Sequence, residues 1–285
     1  MAKRRRYPSK IWLAAALVLI AAGGAYYFWQ KDEPPAPKTT ASIPPSQPTA
    51  PPAKAEKPPV INLQPTVDAW ADKQSGRASV VIYDLANGKT VASLDPDRQY
   101  FTASLYKLYV AYVGYQKIDD GAYNADEPYL GSYTRAECLD KMIRESYSPC
   151  GEKWWNELGK QAVTAQMRGY GLKNTSLTGL YTSAGDAAAI LRLLYKGTDL
   201  TRSSRAAYLD SMKDQPALYR RGLPSGFSNS TVYDKVGWNG QVEWHDAAII
   251  TLPGGRSYVV SVLTQNVGSS QIAALGKAIE ARLTQ

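Results

Sequence analysis

Histidine and cysteine are scarce in this chain of 285 residues, which contains one histidine and two cysteines. A zinc site built from these residue types needs three or four ligands, so the sequence excludes most sites of that kind. No aspartate-rich loop of the type that holds a hard cation is present either. We therefore predict that the protein uses no metal ion.

Excess positive charge is nearly absent from residues 60–285. They contain 24 Lys/Arg and 22 Asp/Glu, a net charge of +2, whereas residues 1–59 contain nine and three, a net charge of +6. A protein that binds nucleic acid carries its basic excess on the folded domain. The charge distribution therefore argues against nucleic acid as a partner.

Charged residues are also absent between Ile11 and Trp29, directly after a basic N-terminal segment. These 19 residues would span about 28 Å as a helix, close to the hydrocarbon thickness of a bilayer. The closing aromatic residues and the preceding positive charges predict a cytoplasmic basic tail at residues 1–10, a transmembrane signal anchor at residues 11–29, and export of the remainder of the chain. A cleaved signal peptide, with Gly23 and Ala25 near the cleavage site, is the alternative and also exports the domain.

Proline is concentrated in one segment, since ten of the 18 prolines lie between Pro34 and Pro59. Such a composition buries too little apolar surface to fold and favours extended polyproline II. Residues 30–59 are therefore predicted to be a disordered, Pro-rich linker. Residues 60–285 remain for one folded domain, a length that suffices for a proper hydrophobic core.

The pattern of apolar residues in this domain runs from strands to helices and back to strands. Asn87-Gly88 between two β-rich runs predicts a hairpin of strands at 78–85 and 90–94. Helices are predicted at 63–73, 104–117, 133–144, 152–159, 164–169, 184–196 and 271–283, and further strands at 231–238, 247–252 and 257–265. We therefore predict an α+β fold in which an antiparallel five-stranded sheet from both chain ends is flanked by helices, with a helical subdomain inserted. A cleft is expected where the helical block meets the sheet.

Cys138 and Cys150 are twelve residues apart in a domain that is predicted to be exported. Exported proteins form disulfides, so we predict one between these two residues. Two unpaired buried cysteines are the alternative.

Ser104 and Lys107 form an S-x-x-K motif at the start of a predicted helix. They lie one helical turn apart, so the lysine can reach the serine hydroxyl. A serine hydroxyl is a weak nucleophile that needs a base, and a lysine serves as one when burial or nearby positive charge keeps it partly neutral. Taken alone, the motif is more often an N-cap serine followed by a surface lysine.

Two further segments give the motif a context. Ser146-Tyr147-Ser148 lies about forty residues further on and precedes a helix, and Lys235-Val236-Gly237 lies on a predicted strand. In this order the three segments resemble the S-x-x-K, S-D-N and K-T-G motifs of the serine β-lactamase and penicillin-binding protein superfamily, especially its class A β-lactamase-like branch. The resemblance covers roughly residues 60–285.

The resemblance implies an acyl-transfer reaction with four catalytic side chains and no organic cofactor. Ser104 would attack a carbonyl carbon, and Lys107 would take its proton. Ser146 would relay a proton between Lys107 and the leaving nitrogen. Lys235 would attract a substrate carboxylate and raise the local positive potential, which favours a neutral Lys107.

The resemblance also implies contacts to the substrate. The backbone N–H groups of Ser104 and Trp238 would form an oxyanion hole. Gly237 would let its strand approach the substrate closely. Ser148 and Val236 stand where the motifs have Asn and Thr; the serine is shorter than the amide it replaces, and valine lacks the hydroxyl.

Acidic residues are absent from the segment at 172–184, where class A β-lactamases carry the glutamate that activates the deacylating water. The expected enzyme is therefore an acyl-serine hydrolase with slow deacylation, acting on β-lactams or on D-amino-acid-terminated peptidoglycan stem peptides. It is expected to be monomeric, and anchored in the bacterial cytoplasmic membrane by one helix with its catalytic domain outside. The alternative is an inactive protein of the same fold that binds cell-wall material or a partner.

His245 and three tryptophans admit two interpretations each. A Ser104–His245–Asp triad would define an unrelated hydrolase, although a lone histidine at a hairpin is more often structural. Trp154, Trp155 and Trp238 could bind sugar or peptide if they are exposed, although core packing is the more common role of tryptophan.

Overall fold

The computed structural model describes residues 58–240 and 242–285. The predicted basic tail, the predicted anchor at 11–29 and nearly all of the predicted linker lie outside these residues. Among the helices that the structure describes, none combines the length and the apolar character needed to cross a membrane.

Strands and helices alternate along the described chain. The strands are β1 (Arg77–Asp84), β2 (Lys89–Leu94), β3 (Tyr100–Phe101), β4 (Pro128–Leu130), β5 (Tyr133–Thr134), β6 (Tyr181–Thr182), β7 (Thr231–Trp238), β8 (Trp244–Thr251) and β9 (Ser257–Gln265). The α-helices are α1 (Gln64–Ala71), α2 (Tyr106–Asp119), α3 (Arg135–Arg144), α4 (Ser148–Leu158), α5 (Lys160–Gly169), α6 (Ala184–Lys196), α7 (Arg202–Lys213), α8 (Leu223–Gly226) and α9 (Ser269–Leu283). Two short 3₁₀ turns lie at Ala103–Leu105 and Ala217–Tyr219.

The main sheet contains strands from both ends of the domain. Its order is β2-β1-β9-β8-β7, and every neighbouring pair is antiparallel. The helical block from α2 to α7 is inserted between β2 and β7 in the sequence. The predicted α+β fold is thereby confirmed, including the five antiparallel strands and the inserted helical subdomain.

Both faces of the sheet are covered, which explains why its central strand is buried along almost its whole length. In β9, eight of nine residues are buried. One face packs against α1, α8 and α9, and the other against α6 and the rest of the helical block. A strand that is buried on both faces loses the alternation of apolar and polar residues.

Helix α2 lies in the centre of the helical block. Its first ten residues, Tyr106 to Tyr115, are all buried. A helix that is apolar on every side belongs in a protein interior. Lys107 lies in this buried stretch, so the fold removes its ammonium group from water.

Several predicted elements differ from the structure: α5 begins at Lys160 rather than at 164, and β8 begins at Trp244 rather than at 247. Helix α3 begins at Arg135, because the Thr134 side chain accepts the Glu137 N–H in a capping box. Helix α4 begins at Ser148 rather than at 152, with Pro149 in its first turn, where proline is favoured. Helix α7 has no predicted counterpart, since only four of its twelve residues are buried and its apolar periodicity is weak.

Candidate active site

Ser104 and Lys107 are brought together where the 3₁₀ turn at Ala103–Leu105 runs directly into α2. Lys107 Nζ lies 3.1 Å from Ser104 Oγ. The lysine is fully buried, so the interpretation of the motif as an N-cap serine followed by a surface lysine is wrong. A serine hydroxyl within hydrogen-bond reach of an amine is the arrangement of an activated nucleophile.

The second motif surrounds the same amine. Lys107 Nζ donates to the carbonyl oxygen of Ser146 at 2.6 Å, and it lies 3.4 Å from Ser146 Oγ and 3.2 Å from Ser148 Oγ. With Ser104 Oγ, four oxygens surround one nitrogen. An ammonium has three N–H donors, whereas a neutral amine has two donors and one lone pair that can accept from a hydroxyl. The site therefore accommodates Lys107 in both protonation states.

The third motif lies on β7, the edge strand next to the helical block. Lys235 Nζ is 3.0 Å from Ser146 Oγ and donates to its neighbouring carbonyl, that of Val236, at 2.9 Å. The Ser146 hydroxyl thus lies between the two lysine side chains. A hydroxyl that contacts two amines can accept a proton from one and donate its own to another group.

Gly237 allows β7 to lie against the serine segment. A Cβ atom at this position would lie 2.5 Å from the carbonyl oxygen of Thr102 and 2.9 Å from Leu105 Cγ. Only glycine fits such a contact without a shift of the backbone. Trp238 comes next, at the end of β7, and 39% of its surface is exposed.

Burial changes the proton affinity of both lysines. It lowers the pKa of Lys107 to about 8, against an opposing effect of the Glu152 carboxylate. It lowers the pKa of Lys235 to about 7, helped by repulsion from Lys107 and opposed by Asp234 and Asp246. The two amines together therefore hold fewer than two protons near neutral pH.

Backbone conformations that are unusual for non-glycine residues border the site. Ala103 has φ +42°, Ser146 has φ +51° and Leu180 has φ +55°. The carbonyl of Leu180 accepts from the N–H of Thr102 at 2.7 Å, which ties the segment at 172–184 to the serine turn. Such conformations persist where the surroundings hold them, and they cluster at functional sites.

Three charged residues behind Lys235 have no counterpart in the sequence predictions. Asp234 and Asp246 are fully buried, and Arg220 pairs with Asp234 at 3.1 Å. Asp246 pairs across the ladder with Val236, so it lies diagonally from Asp234 on the sheet face opposite Lys235. Burial raises the pKa of Asp234 to about 7 and the pKa of Asp246 well above its usual range. An alignment could have singled out these positions; a single sequence shows only two aspartates in strands.

His245 has a structural role. Its Nδ1 accepts from the N–H of Thr264 at 3.0 Å, so its proton is on Nε2, which donates to the carbonyl of Phe101 at 2.8 Å. Burial lowers the pKa of His245 to about 4. Both ring nitrogens are therefore engaged by the backbone, and the Ser104–His245–Asp alternative is wrong.

The two adjacent tryptophans of α4 do not form an exposed platform. Trp154 is fully buried, with its ring 5.0 Å from that of Tyr129. Trp155 is half-buried, and its ring lies 5.3 Å from that of Tyr106. Of the three tryptophans considered, only Trp238 is exposed.

The predicted disulfide between Cys138 and Cys150 is confirmed. It links α3 to the first turn of α4, on either side of the loop that carries Ser146, and Ser148 is the first residue of α4. The second motif is therefore fixed at both ends, by a covalent bond between the flanking helices and by hydrogen bonds to Lys107.

We expect loss of this disulfide to lower stability and to slow the reaction at Ser104. The loop-entropy model gives a loss of up to about 3 kcal/mol for a loop of this length. A Cys138→Ser/Cys150→Ser double variant should therefore melt at a lower temperature than the wild type, and reduction of the wild type should have the same effect. An unchanged melting temperature after both treatments would contradict this prediction.

Comparisons with known proteins agree with this architecture. Residues 62–283 match the model of the β-lactamase enzyme family. The chain belongs to this family. The predicted membership in the serine β-lactamase and penicillin-binding protein superfamily is confirmed, and the protein is a serine hydrolase. No match is found among curated protein sequences.

Solved structures of β-lactamases and of PBP-A share the fold of this chain at low sequence identity. A mutant class A β-lactamase of the last common ancestor of Gram-negative bacteria is 22% identical, with a TM-score of 0.72 over 79% of this chain and 99% of that one. PBP-A is 21% identical, with a TM-score of 0.71 over 80% and 99%. A β-lactamase from Chitinophaga pinensis is 18% identical, with a TM-score of 0.70 over 77% and 98%.

Proposed function

We propose that this family member is an acyl-serine hydrolase of β-lactams and D-amino-acid peptidoglycan peptides that works through an ester on Ser104. The observation that carries the proposal is the buried Lys107 amine, which lies 3.1 Å from Ser104 Oγ. A mutant of PBP-A has been solved as an acyl-enzyme complex with penicillin G, so a β-lactam acyl-enzyme is known on this fold.

In the proposed acylation, a proton is transferred from Ser104 to the leaving nitrogen through the side chains of Lys107 and Ser146. Ser104 Oγ forms a bond to the substrate carbonyl carbon, and the neutral Lys107 amine takes the hydroxyl proton. The N–H groups of Ser104 and Trp238 stabilise the negative oxygen of the tetrahedral intermediate. When the C–N bond breaks, Lys107 returns a proton to Ser146 Oγ as Ser146 donates its own to the leaving nitrogen.

The substrate itself is proposed to set the protonation of the two lysines. A substrate carboxylate beside Lys235 favours the ammonium form of that lysine, because opposite charges attract at low dielectric. The positive charge on Lys235 then disfavours a proton on Lys107, whose Nζ shares Ser146 Oγ with it. An anionic substrate therefore selects the state in which Lys107 is the base.

Deacylation is proposed to be slow. The segment at 172–184 contains no aspartate or glutamate, although it borders the serine through the Leu180–Thr102 hydrogen bond. Asp186 lies just beyond it, but its carboxylate accepts from the N–H of Asn174 and from the Thr175 hydroxyl. Hydrolysis of the ester then lacks a carboxylate base from this segment to activate water.

The site is proposed to work outside the bacterial cytoplasmic membrane, where peptidoglycan lies. The uncharged run at 11–29 after a basic segment supports an anchored domain with that orientation. All four proposed catalytic side chains come from one chain, so the proposed reaction needs no second copy, and we propose that the protein acts as a monomer.

Intact-mass spectrometry of the full-length chain during incubation with penicillin G tests this function. We expect the wild type to gain one penicillin mass that persists for many minutes and Ser104→Ala to gain none. An adduct that disappears while the drug is consumed would contradict slow deacylation. Absence of an adduct on the folded wild type would contradict the acyl-enzyme and favour the inactive cell-wall-binding alternative.

A further inference from the structure

The exposed aromatic side chains of the described chain all lie next to the three motifs, either in the sequence or across a ladder. They are Phe101, Tyr147, Tyr181 and Trp238, each between 37% and 46% exposed. Phe101 precedes the serine turn and pairs with Tyr181 in the β3–β6 ladder, Tyr147 lies in the second motif, and Trp238 comes directly after the third. Exposed apolar patches of this kind mark binding surfaces.

Trp238, one of these four exposed aromatic residues, also lines a separate cavity. Its ring lies 5.2 Å from that of its ladder partner Trp244. Together with Val242, Glu243 and Asn266 they line a cavity of about 370 Å³. Trp238 lies on the sheet face opposite Lys235, because successive side chains of a strand alternate. The cavity is therefore distinct from the site around Ser104 but begins one residue after Gly237.

The polar groups of this cavity have unused hydrogen-bonding capacity. Glu243 is 8% exposed, and its Oε2 accepts from Asn239. Its other carboxylate oxygen has no hydrogen-bond partner, and Glu243 forms no ion pair, within the described part of the chain. The side chain of Asn266 is exposed and makes no hydrogen bond there either.

These groups select the chemistry of a ligand. The carboxylate repels anions. An ammonium group would suit Glu243, but it would leave the indole surface and most of the volume unused, since a water-sized group occupies only about 30 Å³. A saccharide ring matches both the apolar and the polar lining of the cavity. Its C–H face packs on the Trp238 indole, and its hydroxyl or acetamido groups form hydrogen bonds with Glu243 and Asn266.

We propose that the cavity lined by Trp238, Trp244 and Glu243 is a saccharide subsite for the glycan to which a stem peptide is attached. Strand β7 is an edge strand of the sheet, so an extended peptide can lie along it. A peptide bound along β7 reaches the cavity where the strand ends. This link between peptide and glycan rests on the proposed function, whereas binding of the saccharide alone does not.

Calorimetric titration of full-length Ser104→Ala protein with an N-acetylglucosamine trisaccharide tests the subsite without any chemistry at Ser104. The detergent that keeps the predicted anchor in solution must lack a sugar headgroup, because such a headgroup would compete for the cavity. We expect saturable binding with a Kd of roughly 0.1–1 mM, and a Kd at least tenfold weaker for Trp238→Ala and for Glu243→Gln. Tyr195→Ala, which removes a half-buried aromatic ring on α6, should leave the Kd unchanged. Thermal melts verify that each variant folds. If Trp238→Ala does not fold, Glu243→Gln still tests the subsite, because this substitution keeps the size of the side chain.

The outcomes separate this inference from the proposed function. If no binding is detected at trisaccharide concentrations roughly ten times the expected Kd, the subsite is overturned, even if penicillin acylates Ser104. Saccharide binding without any penicillin adduct retains the subsite and rejects the enzyme. Binding of Nα-acetyl-lysine in place of the trisaccharide, abolished by Glu243→Gln, would overturn the inference in favour of an ammonium ligand.

Discussion

Replacement of Lys107 by methionine is expected to slow acylation of Ser104 by penicillin G by about 10²–10⁴-fold, the usual contribution of a positioned general base. The amine lies 3.1 Å from the nucleophile and has a pKa lowered by burial to about 8. In the wild type the rate should rise with pH up to about 8, because deprotonation creates the base. Methionine has a similar length and cannot accept the proton. Stopped-flow or quenched-flow acylation measurements at several pH values give both results.

The matched control for this variant is Lys117→Met on the same helix. Lys117 forms an exposed ion pair with Asp120, with 42% of the lysine side chain accessible, and such pairs contribute little. We expect this variant to acylate at the wild-type rate. A Lys107→Met protein that folds and acylates as fast as the wild type would show that another group, such as Lys235 through Ser146, removes the proton.

The sequence predicts most of the fold because the main sheet and the core helices carry strong local patterns. The Asn87-Gly88 turn defines the β1–β2 hairpin, and the limits of β7 and β9 agree with the predicted ranges. Helix α7 lacks such a pattern, since its stability depends on tertiary contacts. Its Thr201 side chain caps the helix and also donates to Asp119, 82 residues earlier in the chain.

The sequence also predicts which residues meet at the site, but not what each contacts. The motif pattern makes Ser148 a short substitute for an asparagine that reaches the substrate; in the structure its Oγ lies 3.2 Å from Lys107 Nζ. Spacing cannot reveal this contact, because it depends on the left-handed conformation of Ser146 and on where α4 begins. The roles of the site residues in the reaction stay predictions.

The buried carboxyls behind Lys235 lead to a prediction about stability and pH. Asp234 Oδ1 accepts from Arg220, and Asp246 Oδ2 accepts from the N–H of Leu223 at 2.7 Å. The other oxygen of each carboxyl has no partner within the described residues. We expect one proton to be shared between these two oxygens, which would satisfy both atoms and leave the pair with a single negative charge. Two charged carboxylates at diagonal positions of neighbouring strands would repel each other in a low-dielectric interior.

We therefore expect Asp246→Asn to be more stable than the wild type at pH 9 by about 1–3 kcal/mol, and nearly equal to it at pH 5. The folded-state pKa of Asp246 is raised, so the native protein holds a proton that the unfolded chain has already released above about pH 4. Wild-type stability is therefore lost as the pH rises through the folded-state pKa. Asparagine keeps the hydrogen bonds of the protonated acid and cannot ionise.

Urea unfolding of both full-length proteins at pH 5 and pH 9 measures this difference. Only the difference between the two proteins isolates Asp246, because Lys107 and Lys235 have lowered pKa values and contribute a stability that increases with pH. Asp84→Asn is the matched control: Asp84 is buried, pairs with Arg256 at 2.5 Å, and has a lowered pKa. Its loss should destabilise the protein at both pH values. If Asp246→Asn were also destabilised at both pH values, Asp246 would be charged in the folded protein, and the hypothesis of a proton shared with Asp234 would be wrong.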